Sequence, residues 1–326
     1  MGTRRTGPLS VGTDRHVSVS GEAVGAGAAH GTFGELLQGV LEGNGRDFLV
    51  TLPISLSSTA EFRLTEGAGE VKVSPVHKRK SQALAQRILR SRRIDSGGVL
   101  TLTSTLPEGK GLASSSADLV ATAHAVGDCL GLRFTESEIE ALLREVEPSD
   151  GVMYRGIVAF YHREVQLKER LGFLPPLTIV AHDIGGMVDT VLFNRSPKPF
   201  DAADRKKYSK LLDRLREAVS CGDLETVGEI STHSAHMNSK IMARAYFDDI
   251  LRICHEVEGL GLVLAHSGTN LGILLRDDIS DHADRLSHAR KSCEALPGVV
   301  SLYRSMGPHS YDADEEVTVS NNSRGI

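Results

Sequence analysis

The residues best equipped for chemistry lie between Pro107 and Asp118, in the string PEGKGLASSSAD. Gly109 and Gly111 remove side chains, so backbone N–H groups can approach an anion. Ser114, Ser115 and Ser116 place three hydroxyls in a row. At a helix start they can cap the helix, bind phosphate oxygens or ligate Mg2+. The chemistry this implies is phosphate binding. It is not a Walker loop: the GxxxxGK(S/T) spacing is absent, and Lys110 sits between glycines rather than before the serines. The plainer reading is a glycine turn followed by a serine-capped helix.

Two elements must position this loop. Gly98 to Thr105 alternates apolar and polar residues and reads as a strand. Leu119 to Leu130 is apolar and alanine-rich and reads as a helix, whose positive N-terminal end would point at the same place. Upstream, AVGAGAAHGTFGELLQG (Ala23 to Gly39) and the segment after it read as two strands joined by a Gly43–Asn44–Gly45 turn. Leu56 to Glu66 reads as a strand and Ser81 to Ser91 as a helix. The basic run His77 to Lys80 before that helix reads as a solvated entrance rather than a phosphate site. Thr135 and Glu138 form a capping box for a helix whose apolar face is Ile139, Leu142, Leu143 and Val146. Pro148 ends that helix, and EPSDG (Glu147 to Gly151) turns the chain.

Pro175 and Pro176 mark a domain junction. Beyond them the pattern gives a strand into a glycine turn (Leu177 to Thr190), three helices, a strand–loop–strand unit (Gly261 to Asp277), a helix and a closing strand. The expected organisation is an extension over 1–24, domains over 25–174 and 175–306, and a disordered acidic tail over 307–326.

The length of 326 residues suits about two domains or one large one. A net charge of -5 gives no electrostatic reason to bind nucleic acid. Cys129, Cys221, Cys254 and Cys293 lie far apart with no CxxC pair, which fits a reducing cytoplasm better than a disulfide scaffold. No apolar stretch reaches membrane-spanning length, and the start lacks the apolar core of a secretory signal. The expectation is a cytoplasmic protein with no nucleic-acid or membrane partner, and with homodimer formation left open.

The serine loop closely resembles the second motif of the GHMP kinases, PxxxGLGSSAA. Pro107, Gly111, Leu112, Ser114, Ser115 and Ala117 match. Ala113 stands for a glycine and Ser116 for an alanine; both are small. His30, Gly31, Thr32, Gly34, Glu35, Leu36, Gln38 and Gly39 resemble the first motif in the form PGTxGELxQG. That form is typical of one branch, the L-threonine kinases of cobalamin biosynthesis. His30 replaces its proline. The third motif, a glycine loop between strands, corresponds to SGTNLG, Ser267 to Gly272.

The resemblance, running from about Ala28 to Leu302, implies an α/β (α+β) fold. Its parts are an N-terminal ribosomal-protein-S5-like domain and a C-terminal ferredoxin-like domain, with ATP and acceptor between them. It implies nucleotide binding by Pro107, Gly109, Lys110, Gly111, Leu112, Ala113, Ser114, Ser115 and Ser116. Ser115 aligns with a serine that contacts Mg2+. For the second ligand Glu140, Glu145 and Glu147 are candidates, and spacing favours Glu140. Asp150, in a string resembling the branch's EP(S/T)DG, becomes the candidate base; the alternative is an Asx turn. A lysine that pairs with this aspartate elsewhere in the superfamily is replaced by Thr32.

Acceptor contacts are expected from Thr32, Gly34, Glu35, Gln38, Ser267 and Gly268. DIGGMVDT (Asp183 to Thr190) resembles the branch's GGxxDT string and adds Gly185, Gly186, Asp189 and Thr190. Asn238 lies in a segment resembling SAxxNQ. His233 and His236 share a helix face, but without a third ligand they read as structural, as does His266. The function implied is ATP- and Mg2+-dependent phosphorylation of L-threonine to O-phospho-L-threonine. The alternatives are a kinase for another small hydroxylated metabolite, such as an amino alcohol, and a silent nucleotide sensor. Intact Ser115 and Asp150 argue against the sensor.

Overall fold

The computed structural model describes residues 23–185, 198–241, 245–265 and 269–311. Strand β1 (Val24–Val40) takes in the whole glycine-rich first segment. It turns through Gly43 and Gly45, both at positive φ, into β2 (Asp47–Ala68). The two pair antiparallel from Val24↔Arg63 to Val40↔Asp47. Three register shifts between His30 and Leu37 break their ladder where the glycines fall.

β3 (Val71–Ser74) leads into helix α1 (Arg79–Ser91) and then β4 (Ser96–Ser104). Helix α2 (Ser114–Cys129) follows the serine loop. Residues Ser116 to Ala123 are all buried, which explains a helix without a polar face. Its fit against β1 depends on glycine. A Cβ on Gly27 would lie 2.4 Å from the carbonyl oxygen of Ala121, and one on Gly25 2.1 Å from the amide nitrogen of Cys129. Strand and helix therefore touch backbone to backbone.

Helix α3 (Glu136–Arg144) starts at the expected capping box. The Thr135 side chain accepts from the Glu138 N–H, and the Glu138 carboxylate accepts from the Thr135 N–H at 2.8 Å. A hairpin follows, β5 (Ile157–Tyr161) and β6 (Gln166–Gly172), hung on the first part of β2 through Leu49↔Phe160.

Past Pro175 and Pro176 come β7 (Leu177–Asp183), α4 (Ala202–Cys221), α5 (Leu224–Asn238), α6 (Phe247–Glu256), β8 (Gly261–Leu264), β9 (Asn270–Arg276), α7 (His282–Glu294) and β10 (Val299–Arg304). The sheet does not stop at the prolines. Its order is β10-β7-β9-β8-β1-β2-β4-β3, with β5 and β6 branching from β2. Strand β1 joins the two segments through Glu35↔Leu264, and a bridge between Ile54 and Ser305 adds a second seam. One apolar cluster unites Phe33, Leu36 and Phe48 with Ile179, Tyr208 and Leu215.

The described tail differs from the expected disorder. A short 3-10 turn, Pro308–Tyr311, docks Tyr311 on the N-terminal segment. Its hydroxyl accepts from the Gly156 N–H at 3.0 Å, and its ring meets His30 edge to face at 5.9 Å. His30, where the motif has proline, is therefore a docking point for the tail. Residues 1–22 and 312–326 lie outside the described residues.

Candidate active site

The serine loop adopts the conformations that glycine favours. Gly109 and Gly111 have φ of 71° and 73°. Ala113, the departure from the motif's glycine, also sits in the left-handed region at φ 57°. An alanine there is strained by about 1–2 kcal/mol. Ala113 is the N-cap of α2, and no side chain caps that start. The first-turn amides and the positive end of the helix are thus presented to the loop, a geometry suited to an anion. Leu112 is buried, and its carbonyl accepts from the Thr32 N–H at 3.3 Å, fastening the loop to β1.

Ser115 and Ser116 have different partners. Ser116 is buried and its Oγ accepts from the backbone N–H of Asp150 at 3.0 Å. Ser115 is exposed and donates a short hydrogen bond to Glu147. The other oxygen of Glu147 takes a short contact from the Lys80 ammonium. Asp150 lies three residues on, half-buried, and no described residue hydrogen-bonds to its carboxylate. Burial, aided by the charge of Glu147, pushes its carboxyl up to about 6.

Glu140, favoured by spacing as a metal ligand, is turned away from the loop. It is buried in α3, where Oε1 accepts from the Tyr154 hydroxyl at 2.8 Å and the Leu167 N–H at 2.6 Å. A carboxylate committed to two donors there supports the β6 hairpin, not an ion at Ser115. Glu147 is the carboxylate that faces Ser115. Among the described residues no group of three or more His, Cys, Asp or Glu side chains is arranged to hold a metal by itself.

Within the basic run, Lys78 alone departs from the expected solvated entrance. Lys78 is mostly buried, with its Nζ 2.5 Å from Asp118 and 2.6 Å from Glu108. Asp118 in turn accepts from the Ser58 hydroxyl at 2.5 Å. Burial works to lower the Lys78 ammonium, but its two carboxylate partners outweigh that and hold it above its ordinary value. Lys78 and His77 hold the Glu108 carboxyl below the usual range. His77, Arg79 and Lys80 stay exposed, while Lys78 on Glu108 and Asp118 and Lys80 on Glu147 tie the run to the loop. Beside it, an open groove of ≈ 630 Å³ runs along α1, lined by Arg79, Lys80, Arg87 and Arg90 among others. The sequence signal for this was the two-residue spacing of Lys78 and Lys80, which a charge-run reading flattens.

The first-motif residues are buried at the seam. Thr32, Glu35 and Gln38 are each 2% exposed. Gln38 donates to Glu35 at 3.3 Å and to the Leu264 carbonyl at 3.4 Å, and its own N–H donates to Ser234 on α5. Gly34, at φ 54°, would drive a Cβ to 2.3 Å from the Leu264 carbonyl. They join strands; none has the exposure of Ser115. Asn238 is buried, with its Oδ1 unpaired, beside a water-sized cavity that Gln38, Asp47, His162 and Lys198 also line. Gly185, expected among the acceptor contacts, donates its N–H to Asp183 Oδ1 at 2.9 Å. Gly186, Asp189, Thr190, Ser267 and Gly268, with His266, lie outside the described residues.

The family model described as GHMP kinases N terminal domain matches residues 79–161, a span holding both the serine loop and Asp150. The chain is 27% identical to an L-threonine kinase of Citrobacter freundii, over 74% of this chain and 83% of that protein. It is 25% identical to an L-threonine kinase of Salmonella typhimurium, over 83% of this chain and 91% of that one. Among solved structures, homoserine kinase from Cytophaga hutchinsonii superposes with a TM-score of 0.70 at 16% identity, covering 90% of this chain and 98% of its own. Residues 79–161 thus match the GHMP kinases N terminal domain, and the fold of the whole chain is that of the solved kinase it superposes on. Both curated sequence relatives are L-threonine kinases.

Proposed function

We propose that the chain is an ATP-dependent kinase that phosphorylates the hydroxyl of L-threonine. The observation that carries the reading is the joint placement of Ser115, Glu147 and Asp150 around one uncapped helix start. The left-handed loop and the α2 amides bind the triphosphate. Ser115 Oγ and the Glu147 carboxylate are hard oxygen ligands of the kind Mg2+ takes together with phosphate oxygens and water. Bound there, Mg2+ would neutralise charge on the β- and γ-phosphates.

Asp150 faces the acceptor. The acceptor oxygen forms its bond to the γ-phosphorus as the bond to the ADP oxygen breaks, and the hydroxyl proton passes to the Asp150 carboxylate. A base raised to about 6 is still ionised at neutral pH and better matched to this task than an ordinary aspartate. Thr32, buried under Leu112, supplies no ammonium to assist it. That L-threonine is the acceptor rests on the names of the two curated relatives.

The test is ADP release from purified protein and MgATP with L-threonine, L-serine and 1-amino-2-propanol. L-Threonine is expected to be fastest. L-Serine loses a methyl contact, roughly 10–200-fold at most. The amino alcohol leaves the groups that meet the carboxylate unpaired and falls further, by as much as about 10⁴-fold. No turnover of L-threonine, or faster turnover of the amino alcohol, sinks the threonine reading. No ADP release with any acceptor, together with no MgATP binding, sinks the kinase reading.

A further inference from the structure

Asp183, the last residue of β7, gathers donors from three separate segments. Its Oδ2 lies 2.7 Å from the Lys110 ammonium. Its Oδ1 accepts from the Gly185 N–H and, in a short bond, from the Thr269 hydroxyl. Next to Thr269, Asn270 donates its Nδ2 to the Lys110 carbonyl at 3.0 Å. Asp183 and Asn270 are cross-strand partners in β7 and β9, so both contacts come from one rigid sheet end. Lys110 lies between Gly109 and Gly111 and contributes a cation to the loop itself. The loop's backbone and its cation are therefore both held from across the sheet.

The pair is poised for exchange. The Lys110 and Asp183 side chains are 25% and 16% exposed, so water screens their attraction only in part. Burial works against Asp183 ionising, but Lys110, Thr269 and Gly185 outweigh it and hold the carboxyl below its ordinary range. If Lys110 leaves, Asp183 keeps the Gly185 and Thr269 donors and is not stranded as a bare buried charge. A phosphate in the loop would offer the ammonium a second anionic partner.

We propose that Asp183 is a positioning residue for the nucleotide: it holds the Lys110 ammonium in the nucleotide-free protein and yields it to the phosphates when they enter the loop. The proposal rests on the kinase reading above. It makes nucleotide binding and the end of the β7–β9 pair two sides of one equilibrium. Whatever stabilises Lys110 on the phosphates releases one oxygen of Asp183, and the coupling is reciprocal.

The experiment is a titration of MgATP against wild type, Asp183→Asn, Lys110→Gln and the double variant, with thermal unfolding of each. Asp183→Asn keeps acceptor capacity for Gly185 and Thr269 but no longer competes for the ammonium. Its MgATP affinity should rise by about three- to tenfold. Lys110→Gln should bind about tenfold or more weakly, and adding Asp183→Asn to it should change nothing further. A structural tie gives a different pattern: Asp183→Asn lowers the unfolding temperature and leaves affinity unchanged or weakened, or its effect persists without Lys110. Either result overturns the proposal. If Asp183→Asn does not fold, Lys110→Gln decides, because wild-type affinity there overturns it as well. Wild type that fails to bind MgATP would instead remove the kinase reading on which this rests.

Discussion

The backbone N–H of Asp150 donates to Ser116 Oγ at 3.0 Å, across 34 residues of chain. Ser116 is the position where the family motif has alanine. The departure therefore has a job: the helix start that presents the phosphate cradle also fixes the turn carrying the candidate base.

Ser116→Ala restores the motif and removes that bond. The expected outcome is a fall in kcat of about tenfold, with KM for MgATP nearly unchanged, because misplacing a reacting group by around 1 Å can cost up to about 10²-fold. Steady-state kinetics at saturating acceptor check it. A variant with unaltered kcat would show that the turn holds Asp150 without Ser116.

Asp150 should set the acid limb of the pH–rate profile. Its carboxyl stands at about 6 against an ordinary 3.8, so activity should decline as pH falls through about 6. Asp150→Asn should lose roughly 10²–10⁴-fold in kcat with MgATP affinity retained. Stability moves the other way. As pH rises from 3.8 the unfolded chain releases this proton first, so ionising Asp150 costs the folded state stability, in full above about 6. Asp150→Asn should therefore melt higher than wild type near neutral pH, and the gain should vanish below about pH 4. Equal melting temperatures across that range would mean that the carboxyl is not raised.

Gly111→Val tests the cradle. At φ 73° a β-branched residue is strained and its side chain blocks backbone approach. MgATP binding should be abolished while the fold loses only about 1–2 kcal/mol. Calorimetric titration beside a melting curve separates the two effects. Unchanged affinity would rule this loop out.

Much of this was legible. The Thr135–Glu138 capping box and the Gly43–Gly45 turn follow from local rules, and both stand where those rules put them. The serine loop was visible because its chemistry is local, a few glycines beside a few hydroxyls. What escaped depends on contacts between distant segments. Counting residues favoured Glu140, but the count cannot see that Tyr154 and the Leu167 N–H occupy it, while Glu147 reaches Ser115. Lys78 reads as solvated along with the rest of its run because its partners, Glu108 and Asp118, lie 30 and more residues away. Asp183 looked like the lead-in to a glycine turn, and its ties to Lys110 and Thr269 exist only once β7 and β9 are paired.

The position of β1 has a consequence for synthesis. Its neighbour on one side, β2, emerges from the ribosome directly after it. Its neighbour on the other, β8, begins more than 200 residues later at Gly261. Tyr208, whose ring a Cβ on Gly39 would meet at 2.5 Å, also comes late. A nascent chain of the first 174 residues thus carries an open strand edge beside Phe33, Leu36 and Leu37, a template for joining other chains. Halves expressed separately should aggregate rather than dock, and a stalled or truncated product should depend on chaperones until β8 arrives.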